Sequence, residues 1–95
     1  MDDVELTLFV TGETSQSREA ISNIREICEE TLGDYTLNVV DIQEHPRQAE
    51  REKIWATPTL IKEHPPPVQR VIGNFSQKQD VLLGLNLEIE SGESP

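Results

Sequence analysis

A single α/β domain, with elements in the order β-α-β-α-β-β-α, is predicted by three features of the sequence. Val4, Leu6, Leu8 and Val10 alternate with Glu5, Thr7, Phe9 and Thr11, the period of two that marks a strand. Ala20, Ile21, Ile24, Ile27, Cys28 and Leu32 then recur at helical spacing and form one apolar stripe. A second β-like run at 35–42 follows, so strand, helix and strand occupy about 40 residues. That is the length of a parallel βαβ unit, whose crossover is right-handed in nearly all cases.

Each element has its own justification. Gly12 ends the first strand, and the helix is expected over 15–32. Arg18, Glu19, Arg25, Glu26, Glu29 and Glu30 lie mostly opposite its apolar stripe, and Gly33 stands where a left-handed C-terminal cap belongs. In the second strand Leu37, Val39, Val40 and Ile42 are nearly continuous, which predicts burial on both faces. The segment 43–55 is very polar, but Pro46 fits the first turn of a short helix, where a missing N–H costs nothing. Residues 59–62 and 68–72 read as antiparallel strands joined by 63–67, in which three consecutive prolines exclude a helix. Gly73-Asn74 is a turn signal, and Ser76 with Gln79 reads as a capping box for a last helix over 77–87 that buries Val81, Leu82 and Leu85. The domain is expected over 1–88, with 89–95 a short acidic flexible tail.

Ninety-five residues make one domain that buries a modest share of its surface, so a homo-oligomer, dimer or tetramer, is expected. The formal net charge is -10, from 18 acidic and 8 basic residues. Nucleic acid and anionic membranes repel such a chain, because phosphate binding needs clustered cations. No run approaches the roughly 20 apolar residues that span a bilayer. The acidic N-terminus lacks the apolar core of a secretory signal, and a cytoplasmic location is expected.

Chemistry is scarce in this sequence. Cys28 is the one cysteine, in phase with Ile21, Ile24 and Leu32, and reads as a small buried hydrophobe. His45 and His64 each precede a proline and show no ligand spacing, so no metal site is expected. Gly12-Glu13-Thr14 lacks the glycines and lysine of a phosphate loop, and no paired general acid and base stands out. No catalytic residue and no cofactor are expected. Trp55 fits either a core plug, the favoured reading, or an interface anchor. Lys53, Lys62 and Arg70 form the one stretch where bases are not outnumbered locally, and with Trp55 they are the candidate partner-binding residues.

Ala56-Thr57-Pro58-Thr59-Leu60 resembles the step by which thioredoxin-like domains enter a strand with a cis-proline beside the active site, making Pro58 a candidate cis-proline. The position that carries Cys-x-x-Cys in such domains reads Thr14-Ser15-Gln16-Ser17 here. A scaffold without its catalyst points to a binding protein.

The chain as a whole resembles the KaiB family of circadian clock proteins. The resemblance runs from Leu6 to about Leu87 and rests on Leu8-Phe9-Val10-Thr11-Gly12, on Val40-Asp41-Ile42, on Lys53-Ile54-Trp55-Ala56-Thr57-Pro58-Thr59-Leu60, on the stretch from Pro65-Pro66-Pro67 to Gly73, and on Val81-Leu82-Leu83-Gly84-Leu85. It implies a non-enzymatic regulator that binds a KaiC-like ATPase ring and, in complete clocks, a KaiA-like protein. It also implies a thioredoxin-related fold in two forms: a resting βαββααβ oligomer, expected for the unbound chain, and a thioredoxin-like βαβαββα monomer that docks on the ATPase. Gly73 and Asn74 are then the fold-switch positions, and Gly73→Ala or a charged residue at 74 is expected to favour the monomer. Asn74, Asn38 and Gln69 depart from the cyanobacterial pattern, which suggests a member outside the core clock, acting in timing or in a stress response. The alternatives are a KaiB-like sensor module of a SasA-type histidine kinase, or a thioredoxin-like redox protein using Cys28.

Overall fold

The computed structural model describes residues 3–87 and contains strands β1 (Val4–Val10), β2 (Tyr35–Asp41), β3 (Thr59–His64) and β4 (Gln69–Ile72). Helices α1 (Ser15–Thr31), α2 (Pro46–Arg51) and α3 (Lys78–Gly84) connect or follow them. The strands form one sheet in the order β2-β1-β3-β4. β1 runs parallel to β2, with Val4 opposite Tyr35 and Val10 opposite Asp41, and antiparallel to β3, with Phe9 opposite Thr59. β3 and β4 are antiparallel, with Ile61 opposite Arg70. The element order is the thioredoxin-like βαβαββα and not the resting βαββααβ order expected for the unbound chain. The periods in the sequence explain this choice. Val81, Leu82 and Leu85 are all buried in α3, whereas a strand would turn the neighbours Val81 and Leu82 to opposite faces.

One face of the sheet carries the main core. Leu6, Leu8 and Val10 of β1 and Leu60 of β3 pack with Ala20, Ile24, Ile27 and Cys28 of α1 and with Val81, Leu82 and Leu85 at α3. The other face buries Thr7, Phe9, Thr59 and Ile61, with Ala49 of α2 also buried.

The burial on both faces expected of the second strand is found in the first. β1 is central and paired on both sides, so its alternation hides a strand whose odd positions Thr7 and Phe9 are buried as well. β2, the apolar run, is an edge strand, and Val39 is exposed. A short apolar run fits either position; pairing partners decide which.

The helix ends also differ from the expectation. Gly33 is not left-handed; α1 closes at Leu32, extended at φ -112, whose N–H donates to the Cys28 carbonyl. α3 begins at Lys78 with Gln77 as its N-cap and no side-chain cap. The backbone N–H of Ser76 donates instead to Asn74 Oδ1, so Ser76 belongs to an Asn-led turn and not to a capping box. The acidic tail expected at 89–95 lies outside the described residues.

Candidate functional site

The most unusual surface group is Trp55, 86% exposed, on the loop between α2 and β3. Its exposure overturns the core reading favoured from the sequence.

The loop around Trp55 is built from both ends. Pro46 opens α2 with φ already set for a helix. At the other end the chain closes in a Schellman turn: the Ile54 N–H donates to the Ala49 carbonyl at 3.0 Å and the Lys53 N–H to the Glu50 carbonyl at 3.1 Å. Lys53 is therefore the left-handed residue, at φ 56, where glycine is usual. Arg70 braces this turn from β4, donating through Nη2 to the Glu52 carbonyl at 2.9 Å and through Nη1 to the Lys53 carbonyl at 3.2 Å. Beyond Trp55, the Thr59 hydroxyl donates to the Ala56 carbonyl at 2.5 Å. The Thr57 and Thr11 hydroxyl oxygens lie 2.6 Å apart in a hydrogen bond that ties the loop to the end of β1. The Thr57–Pro58 bond is cis.

The predicted partner-binding residues thus separate. Lys53 and Trp55 are exposed and two positions apart. Arg70 is exposed, but its guanidinium is occupied by the two carbonyls. Lys62 departs from expectation: it is 1% exposed, and desolvation lowers its pKa. Desolvation penalises its charged form in this fold, so it is a poorer contact for a partner than the exposed Lys53. Alternation places it on the sheet face of Leu60, opposite Leu6 of β1.

The predicted switch residues form the joint between β4 and α3. Gly73 has φ +149, a region L side chains rarely adopt, although a Cβ there would meet nothing within 4 Å. Its N–H donates to the Pro58 carbonyl at 3.2 Å. The Asn74 carbonyl accepts a 2.9 Å hydrogen bond from Asn23 Nδ2 of α1. Phe75, buried, follows at φ 62, an uncommon conformation for a bulky side chain.

Where thioredoxin-like domains carry their thiols, hydroxyls serve the backbone. Thr14 caps α1 by accepting from the Ser17 N–H at 3.1 Å, and the buried Ser17 hydroxyl donates to the Thr11 carbonyl at 3.1 Å. Among the described residues no basic side chain hydrogen-bonds to the Ser17 hydroxyl. Beside it, a cleft of about 460 Å³ opens at the carboxyl ends of β1 and β2, between Val10, Ile21, Arg18 and His45. Sequence reasoning missed this cleft, since its walls come from four segments. Asp41 on its rim accepts from the N–H groups of Gly12 at 3.0 Å and Gln43 at 2.9 Å, and these bonds hold its carboxyl below the usual range. Asp41 is therefore a loop staple. Cys28 is 1% exposed and burial pushes its thiol up to about 11, far from the low value of a reactive thiol. Among the described residues no group of three potential metal ligands occurs, and no helix is long and apolar enough to cross a membrane.

Comparison with known proteins adds a second line. A family model described as "KaiB domain" matches residues 7–87. The chain is 50% identical over 88 residues to "Circadian clock protein KaiB3" of Synechocystis sp., covering 92% of this chain and 86% of that one. In three dimensions it resembles the N-terminal domain of Synechococcus elongatus SasA, with a TM-score of 0.74 at 21% identity over 99% of this chain and 91% of that one. It also resembles mitochondrial thioredoxin 3 of Saccharomyces cerevisiae, with a TM-score of 0.70 at 15% identity over 90% and 79% of the two chains.

Proposed function

Because the chain belongs to the KaiB family of circadian clock proteins, we propose that it is a non-enzymatic cytoplasmic regulator that docks on a KaiC-like ATPase ring in its thioredoxin-like form. The observation that carries this reading is Trp55, an 86% exposed tryptophan on a loop pinned at both ends. A large, rigid aromatic held in water is poor for a solitary domain and good for an interface, where tryptophan is enriched among the residues that dominate affinity. Lys53 beside it adds a positive charge for an acidic patch on the partner.

The proposal includes the second form. The chain exchanges between the order described here and a resting βαββααβ oligomer, and the ring selects the thioredoxin-like form by binding it better. Two folds of one sequence coexist only when they differ by a few kcal/mol. A partner shifts them by no more than its differential affinity. The joint at 73–75 supports this reading, since Phe75 holds φ 62, an uncommon conformation for a bulky side chain. An alanine at 73 is strained here, so it moves the population toward this form only if the resting form penalises it more. A KaiA-like protein is the further partner of this proposal.

The test mixes the chain with the KaiC-like ATPase of the same genome and ATP, followed by size exclusion over hours. A ring-sized complex that forms slowly is expected for an exchanging regulator. Trp55→Ala should abolish it while changing the thermal midpoint little, because exposed side chains contribute about 0.5 kcal/mol or less. No complex in the presence of an intact hexamer would sink the proposal.

A further inference from the structure

Arg70 is the unexpected member of the site. The chain carries 18 acidic residues, yet the guanidinium of Arg70 donates to two consecutive backbone carbonyls, those of Glu52 and Lys53. The planar guanidinium presents its donors in a rigid fork that spans two neighbouring acceptors, whereas the ammonium of lysine is a compact point charge on a flexible stem. The register explains the reach: Arg70 lies opposite Ile61 on the sheet face away from Val71 and the α3 core. Its target is the turn where Lys53 takes φ 56 without being glycine. A left-handed residue with a Cβ persists only where its surroundings hold it.

We propose that Arg70 is a positioning residue for Trp55: by bracing the carbonyls at 52 and 53 it fixes the left-handed turn that projects the indole into solvent. The role rests on the docking reading above and assigns Arg70 an intramolecular partner in place of the direct contact expected from sequence. Arg70 lies 17 positions from Lys53 and on a different element, so the brace is a tertiary contact of this form of the chain. Presentation of Trp55 is thereby coupled to this form of the chain.

The experiment uses Arg70→Gln and Arg70→Lys in the full chain. Trp55 is the one tryptophan, so its fluorescence anisotropy reports the loop without labelling. Arg70→Gln should lower the anisotropy and speed amide exchange at Lys53 and Ile54, with the exchange of β1 unchanged. Arg70→Lys should fall between. Ring affinity should drop by about tenfold in Arg70→Gln. The double variant Arg70→Gln with Trp55→Ala should bind no worse than Trp55→Ala alone, because Arg70 acts through Trp55. Unchanged anisotropy and exchange in both single variants would overturn the brace. Additive losses in the double variant would make Arg70 a direct contact and overturn the positioning role. Should Arg70→Gln fail to fold, Arg70→Lys carries the same tests. If the unmodified chain binds no ring, the docking reading falls, and anisotropy and exchange still decide whether Arg70 fixes the loop.

Discussion

Gly84 of α3 and Val71 of β4 approach so closely that a Cβ on residue 84 would lie 2.6 Å from Val71 Cγ2. The contact fixes how the last helix lies on the last strand. Valine is stiff at χ1 and cannot swing aside. Gly84→Ala should therefore destabilise the domain by about 1–2 kcal/mol, despite the better helix propensity of alanine. Val71→Ala in that background should recover part of the loss. Chemical denaturation of the two single variants and the double variant checks this, and strictly additive effects would refute the clash.

Cys28 makes a prediction in pH. Its thiol, ordinarily near 9.0, is pushed up to about 11 by burial in the fold. A raised folded value means that the stabilisation is fully present below the unfolded value and is lost as pH rises through the folded one. The stability difference between the native chain and Cys28→Ala should hold steady below pH 9 and fall between pH 9 and 11. The thiol should also resist a disulfide reagent at neutral pH until the chain is unfolded. Rapid reaction of the folded protein would restore the redox alternative.

Lys62 predicts the opposite sign. Its pKa is lowered from 10.5 by desolvation, so the charged form is penalised in the fold and the penalty is relieved as pH rises. Lys62→Met should raise the thermal midpoint at neutral pH, where the buried charge is fully penalised. The gain should shrink as pH approaches 10.5. A loss of ring binding in Lys62→Met without any gain in stability would return Lys62 to the surface role read from sequence.

The element order was legible because each segment has one dominant period. The stripe from Ala20 to Leu32 has helical spacing, Val81, Leu82 and Leu85 suit the helical turn they bury in this form, and three consecutive prolines at 65–67 exclude a helix. Membership of the KaiB family was equally legible, because Ala56-Thr57-Pro58-Thr59-Leu60 and the prolines that follow it lie in contiguous sequence. What failed depends on which strand sits beside which. The apolar run of β2 read as buried on both faces, but β2 lies at the sheet edge while β1, flanked by β2 and β3, buries Thr7 as well as Phe9. Lys62 looked like a surface cation, though its even position beside Leu60 put it on the core face. The brace at Arg70 was out of reach, since it joins β4 to the carbonyls of a turn on a different element, 17 and 18 positions away.

The central position of β1 also bears on how the chain is made. Synthesis delivers Val4–Val10 first, then the helix and β2 that pair one of its edges by residue 41. Its other edge belongs to Thr59–His64, so the hydrogen-bonding groups of the most buried strand face water until residue 64 has left the ribosome. At about 5–20 residues per second, that interval lasts on the order of seconds. Through it, that edge of β1 has no strand partner in the part of the chain already made.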